Sequence, residues 1–328
     1  MAQTGREKQP GRGEQPDWLE PELATLTRDR FSDPGWLFER KLDGERCLSF
    51  RSGDSLRLMT RNQKEVADNY PEIAAALRAR GSEDFIVDGE IVAFHGAQTS
   101  FELLQSRIHV ARPDPALIRR VPVFYYIFDV LYAGDEDVRP LPLRERKDIL
   151  AGLLSFRDPL RYTEHRDTDG EAFYAEACRQ GWEGLIAKRA DAPYSRGRSK
   201  DWLKLKCAWE QEFVIGGFTD PAGSRTDFGA LLVGYHEDGQ LRYAGRVGTG
   251  YSAATLHNLG GRLRALETPE SPFLDARPVP RGTHWTRPEL VGQIGFAEWT
   301  TDGRLRQARF LGLRDDKSPD EVVRERAS

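Results

Sequence analysis

The sequence predicts an α+β protein in two parts, and three observations carry that prediction. Short apolar or alternating runs bounded by Gly, Pro, Asn and Asp recur along the chain, the pattern of half-buried strands. Amphipathic stretches of helical length interrupt them, mostly before residue 181. After a lysine-bearing strand that ends near residue 206, the texture changes to about 120 residues of short strands with one helix. The 328 residues are enough for two cores.

Taken in order, residues 1–16 are rich in Gly, Gln, Pro and charge, a composition that buries too little to order itself and predicts a disordered tail. Apolar residues at Trp18, Leu19, Leu23 and Leu26 are enough to lay an arm on the body of the first domain, assigned to residues 17–207. Trp36-Leu37-Phe38 and Cys47-Leu48-Ser49-Phe50 read as strands, and Asp43-Gly44 between them predicts a hairpin turn with Lys41 at its mouth. Ser55–Thr60 alternates like a half-buried strand and delivers Arg61-Asn62 into a loop. Pro71 opens a helix to Arg80. Phe85–Phe94 is a strand carrying Asp88-Gly89-Glu90, and an acid there needs a charged or hydrogen-bonding partner. Phe101–Arg107 is a short helix, and Val121–Tyr132, the longest apolar run, is a central strand interrupted by Asp129. Helices over Arg144–Leu154 and Asp169–Gln180 follow, the second stopped by Gly181.

Trp182–Arg189 is a strand with Glu183 at its start and Lys188 and Arg189 at its end. Beyond a Gly/Ser/Arg loop, alternation in Trp202–Lys206 puts Lys204 and Lys206 on one face and Leu203 and Leu205 on the other. The boundary falls near Cys207–Glu210. Strands at Glu212–Gly217, Gly229–His236, Leu241–Val247, Val291–Trp299 and Gln307–Leu311, a helix at Ala253–Leu266 and a long loop from Pro269 to Pro288 suggest that residues 208–328 form a barrel of the oligonucleotide-binding (OB) type.

The composition, 39% hydrophobic and 30% charged, is that of a globular protein, and the net charge of -4 excludes a uniformly basic nucleic-acid coat. Charge is local instead: between Ile186 and Trp209 seven Lys and Arg face two acids, an anion patch if it is not simply a solvated loop. Three scattered cysteines, with no Cys-x-x-Cys pair, suggest a reducing compartment and no structural zinc. No apolar run approaches the ~18 residues needed to cross a bilayer, and no signal-peptide core begins the chain, so a cytoplasmic, nucleoid-associated protein is expected. A monomer is the default.

Lys41 is the residue on which a function turns. A free lysine is protonated at neutral pH and attacks nothing until burial or neighbouring cations lower its pKa. Lys-x-Asp-Gly alone is most often a turn with a solvated lysine, so companion motifs decide. They are present in order: Glu39-Arg-Lys-Leu-Asp-Gly-Glu-Arg46, Asp88-Gly-Glu-Ile-Val92, Phe128-Asp-Val-Leu-Tyr132, Glu183-Gly-Leu-Ile-Ala-Lys188, Trp202-Leu-Lys-Leu-Lys206 and Phe310-Leu-Gly-Leu-Arg-Asp-Asp-Lys317.

This series resembles the covalent nucleotidyltransferases and, within them, the ATP-dependent DNA ligases, with a specific likeness to the ligase domains of the bacterial and archaeal end-joining ligase D family. The resemblance implies an adenylation (nucleotidyltransferase) domain of antiparallel sheets and helices followed by an OB-fold domain. It implies that Lys41 attacks the α-phosphate of ATP to form lysyl-AMP, that AMP passes to a 5′-phosphate, and that a 3′-hydroxyl then seals the strand. Glu39 is expected at the adenine and Phe128 stacked on it, Arg46, Arg61 and Glu90 at the sugar and phosphate, and Glu183, with Glu90, on Mg or Mn. Lys188, Lys204 and Lys206 are expected around the α-phosphate, lowering the pKa of Lys41 by like-charge repulsion. Asp129 is left between orienting a neighbour and binding metal. Arg306, Arg309, Arg314, Asp316 and Lys317 match the last family motif, which orients pyrophosphate, with the two domains opening and closing about a hinge at Cys207. The DNA contacts expected are mainly to phosphate, on nicked or broken duplex. No eukaryotic-type DNA-binding domain precedes Lys41 and no polymerase or phosphoesterase domain accompanies it, so separate proteins of those kinds and Ku are candidate partners. The alternatives are an RNA ligase, a GTP-using capping enzyme, which share Lys-x-Asp-Gly, or a non-catalytic nucleic-acid-binding module.

Overall fold

The computed structural model describes residues 15–80, 83–207, 209–221, 226–277 and 279–325. Most of the expected tail, residues 1–14, thus lies outside the described residues. The chain separates into two compact units, Met1–Cys207 and Ala208–Ala327.

The first unit begins with β1 (Glu22–Leu26), β2 (Trp36–Lys41), β3 (Glu45–Ser52), β4 (Ser55–Thr60), α1 (Pro71–Arg80), β5 (Phe85–His95), β6 (Gln98–Thr99) and α2 (Phe101–Ile108). It continues through α3 (Pro115–Arg120), β7 (Val123–Ala133), β8 (Glu136–Asp137), α4 (Leu143–Leu153), β9 (Leu160–Tyr162), β10 (His165–Arg166), α5 (Gly170–Arg179), β11 (Gly184–Arg189) and β12 (Gly197–Lys206). These strands form two sheets. One has the order β1-β12-β11-β2-β10, and the other runs β4-β3-β5-β7-β8, with β6 on β5 and β9 on β7.

This topology corrects the expected hairpin. β2 pairs with β11 and β10, whereas β3 pairs with β4 and β5, so Leu42-Asp43-Gly44 carries the chain from one sheet to the other. Gly44 is needed there because a Cβ would collide with the Ile91 carbonyl oxygen and the side chains of Val92 and Glu90. Asp-Gly marks a turn, but turn chemistry does not say which strands pair across it. The arm expected near Leu26 is itself a strand: β1 runs parallel to β12.

Each sheet buries its outer face under helices. Ile73 and Leu77 of α1, Phe101 and Leu104 of α2 and Leu150 of α4 cover the seven-stranded sheet around Val87, Ile91, Tyr125 and Ile127. Phe173, Tyr174 and Ala177 of α5 cover the other against Phe38, Leu185, Ala187 and Leu205. The inner faces meet through a smaller cluster in which Trp202 of β12 stands edge-on to Phe128 of β7, ring centroids 5.8 Å apart. Beside this contact the two inner faces present their polar residues.

Cys178 of α5 and Cys207 form a disulfide, which leaves buried Cys47 as the free thiol. The scattered spacing therefore hid a pair: 29 residues apart in sequence, the two cysteines approach because α5 packs on β12.

In the second unit β13 (Trp209–Thr219), β14 (Leu231–Glu237), β15 (Gln240–Val247), α6 (Ala253–Ala265), β16 (Glu267–Thr268), β17 (Thr283–Phe296), β18 (Glu298–Trp299), β19 (Leu305–Arg306) and β20 (Arg309–Leu313) follow one another. The sheet order is β15-β14-β13-β17-β16, with β20 also on β17 and β18-β19 as a separate pair. It folds with α6 around one apolar core, a half-barrel of the OB type. β17 starts inside the segment expected to be a loop. Pro288 is tolerated within it because the β13–β17 ladder breaks between the pairs Gly217–Trp285 and Ile215–Leu290, where an irregularity relieves a residue that cannot donate.

Candidate active site

Lys41 ends β2 on the same face as Glu39 and Leu37. Strand register then sets three rungs across β2, β11 and β12: Lys41, Gly184 and Lys206; Glu39, Ile186 and Lys204; Leu37, Lys188 and Trp202. Residues opposite one another share a face. The first rung thus has a lysine on each side and no side chain between them. Only glycine fits at 184: a Cβ would strike the Leu205 carbonyl oxygen, and its φ of 147° disfavours any other residue.

Glu183, just before β11, accepts a hydrogen bond from Lys41 Nζ at 2.6 Å. Burial pushes the lysine pKa down, but the pull of Glu183, reinforced by Asp43 and Glu90, outweighs it and holds the pKa above the ordinary lysine value. This corrects the expectation that neighbouring lysines lower it. The nearest charged partners of Lys41 are carboxylates.

Lys188 is also placed differently from expectation. It is four residues from Gly184 along β11, about 13 Å at strand rise, two rungs from Lys41. Its ammonium lies 2.7 Å from Glu39 Oε2 and 4.1 Å from the ring centroids of both Phe128 and Trp202. Burial lowers its pKa. Lys147 of α4 lies 2.6 Å from the other Glu39 oxygen. Between these two cations the buried Glu39 stays below the usual carboxyl range although burial pulls upward.

On the facing sheet, Arg46 and Glu90 are opposite one another on β3 and β5. The Arg46 guanidinium donates from Nε and Nη2 to the two oxygens of Asp88, each at 2.5 Å, and lies 4.6 Å from the Phe128 centroid. A bidentate pair of this kind is strong and directional. Arg46 is paired with Asp88 and backs the Phe128 ring. Phe128 is 8% exposed, with cations at its ring, which makes it part of the cluster that joins the sheets. Arg61 follows β4 one step beyond the Thr60–Cys47 pair, beside Arg46. Asp129 is fully buried and bidentate to Arg146 of α4 at 2.8 and 2.9 Å, so it orients a neighbour.

Arg314 and Lys317 belong to the second unit. Arg314 is bidentate to Asp316 at 2.8 Å on both arms, and its Nη1 and Lys317 Nζ lie 3.5 and 3.6 Å from Glu212. Arg306 pairs with Glu298, and Arg309 approaches Glu210 at 4.0 Å.

No group of three or more His, Cys, Asp or Glu side chains suited to a metal occurs among the described residues. The donors near Lys41 still suit a hard cation, because Mg is commonly held by one or two carboxylates with substrate phosphates completing its shell. Sequence reasoning did not single out Lys147 or Tyr194, and it gave no role to Asp88, to which the Tyr194 hydroxyl donates at 2.6 Å. Lys147 had a signal: it occupies the core-facing position between Leu143 and Leu150 on one helix face, where an apolar residue belongs.

A strand-end lysine with carboxylates at its ammonium and two further lysines on its sheet is the equipment of a phosphate-transfer groove. Residues 21–206 match the ATP-dependent DNA ligase domain model and residues 224–317 the ATP-dependent DNA ligase C-terminal region, and the chain belongs to the ATP-dependent DNA ligase family. It is 38% identical to the multifunctional non-homologous end joining protein LigD of Pseudomonas aeruginosa over 98% of this chain and 38% of that one. It is 37% identical to the corresponding Mycobacterium tuberculosis protein over 94% of this chain and 40% of that one, so it spans less than half the length of these relatives. A solved mycobacterial DNA ligase D complexed with ATP and MES superposes with a TM-score of 0.67 at 35% identity, covering 94% of this chain and 98% of the other. Among the described residues no helix is long and apolar enough to cross a membrane.

Proposed function

We propose that this chain seals breaks in duplex DNA, taking AMP from ATP onto Lys41 and passing it to a 5′-phosphate end, as the ligase part of an end-joining system. The observation that carries the reading is the first rung: Lys41 on Glu183, Gly184 with no side chain, and Lys206 beyond it. In the charging step the Lys41 nitrogen bonds to the α-phosphorus, the bond to the bridging oxygen breaks, and pyrophosphate leaves. The ammonium must first lose a proton to solvent. While Glu183 holds Nζ, the lysine stays protonated; when Glu183 turns away, the largest opposing charge is gone and burial drives the pKa down. Glu183 and Glu90 would hold a divalent cation, which would supply charge neutralisation for the phosphate. Lys204 and Lys206 neutralise the phosphate from the neighbouring strand, with Arg61 serving from the facing sheet. Glu39 receives the adenine, and Phe128 with Arg46 behind it forms the wall of the base pocket. Arg314 and Lys317 serve the charging step, as the family motif implies.

Sealing of a nicked duplex tests this reading. With ATP and magnesium, a nick bearing a 5′-phosphate is expected to close and one bearing a 5′-hydroxyl to stay open. Closure of neither would count against it. The end-joining names of the relatives support a place in end joining; recruitment by Ku-type end-binding proteins and cooperation with separate polymerase and phosphoesterase proteins belong to the same proposal.

A further inference from the structure

Lys147 is a buried cation that the charging chemistry does not use. It is 2% exposed, sits on α4 outside the two sheets, and donates to the Thr163 carbonyl oxygen at 2.9 Å. Its ammonium also stands 2.6 Å from Glu39 Oε1, while Lys188 stands 2.7 Å from Oε2. The two lysines approach from different elements, α4 and β11, so the carboxylate is held at both oxygens. An ionised carboxylate only accepts hydrogen bonds and has about four lone-pair sites; Lys147 is within ion-pair range of Oε1, yet that oxygen makes no hydrogen bond among the described residues. Around the same group, the buried Thr163 Oγ1 and His165 Nδ1 have no hydrogen-bond partner among the described residues. His165 is directly opposite Glu39 in the β10–β2 pair. Buried polar atoms left over at one spot point to a ligand that completes them.

We infer that Lys147 is a positioning residue for base selection: acting through Glu39, it fixes an acceptor that takes a purine bearing a 6-amino donor and rejects one without it. The inference rests on the reading of this groove as the site that charges Lys41. A fixed acceptor gains a hydrogen bond from the 6-amino group, and a base lacking that group leaves the buried carboxylate unpaired. If Lys147 is removed, one Glu39 oxygen loses its anchor and the acceptor is no longer fixed. Both nucleotides can then still react, but the preference narrows.

The test compares lysyl-nucleotide formation from ATP and from purine riboside triphosphate, which lacks only the 6-amino group, by intact mass in the full chain. The wild type is expected to favour ATP in kcat/KM by about tenfold or more, the contribution of one well-made hydrogen bond to a charged group. Lys147→Met should bring the ratio close to one, mainly through the KM for ATP, and Lys147→Arg should restore much of it. Because loss of a buried cation can also weaken the fold, Glu39→Gln and the double variant are compared in parallel. A residue acting through Glu39 leaves the double variant with the ratio of Glu39→Gln alone. An unchanged ratio in Lys147→Met, or a further change in the double variant, would overturn the role of Lys147. A wild type that charges Lys41 with both nucleotides equally overturns base recognition by Glu39 as well, and a wild type charged by neither overturns the reading of the site.

Discussion

Lys41 is held as an ammonium by Glu183, and on the proposed reading this one contact keeps the lysine inert until its site is filled. Burial alone favours the neutral amine, and Glu183, Asp43 and Glu90 reverse that preference. Glu183→Gln removes the strongest of the three, so the Lys41 pKa falls and more free amine is present at a given pH. Acetylation of Lys41 at pH 8, read by peptide mass spectrometry against other lysines, should rise in this variant, by about tenfold for each unit of pKa lost. An unchanged or slower rate would show that another group holds the proton. Lys204 and Lys206 could be placed on one face from sequence, because alternation needs no knowledge of neighbours. The partners of Arg46, Asp129 and Lys188 could not be read, since Asp88, Arg146 and Glu39 reach them from other strands or a helix.

Strands and helices were legible where a local period or terminus marked them, as at Pro71 for α1 and Gly181 after α5. Pairing was not legible: Asp43-Gly44 has turn chemistry, yet it links two sheets, and β1 earns its strand only from β12. Gly184 is the element-scale counterpart of Lys41, because its missing side chain lets β11 pass beside Leu205. Gly184→Ala is expected to destabilise the first unit by about 1–3 kcal/mol in urea unfolding, as overpacking at a tight site does. A variant as stable as the wild type would contradict that account of the glycine. The disulfide between α5 and the end of β12 makes a separate prediction. Alkylation of denatured, unreduced protein should label one cysteine, Cys47, and labelling of all three would show that Cys178 and Cys207 are not joined. Where the bond is present, closing a loop of this length contributes about 3 kcal/mol, which reduction removes.

At the scale of the whole molecule, the α+β class was legible because strand-length runs and helical stretches alternate without a regular β-α-β rhythm, and the half-barrel because its strands are short and closely spaced. The six motifs are spread from Glu39 to Lys317, and the fold gathers those of the first unit onto two facing sheets. What ties the molecule to one chemistry is the covalent state of Lys41. Intact mass after incubation with ATP and magnesium, for the wild type and Lys41→Ala, measures it directly. A gain of one AMP, about 329 Da, is expected on the wild type and none on the variant. An adduct that persists in Lys41→Ala, or a wild type that has been freed of bound AMP and gains nothing, would contradict it.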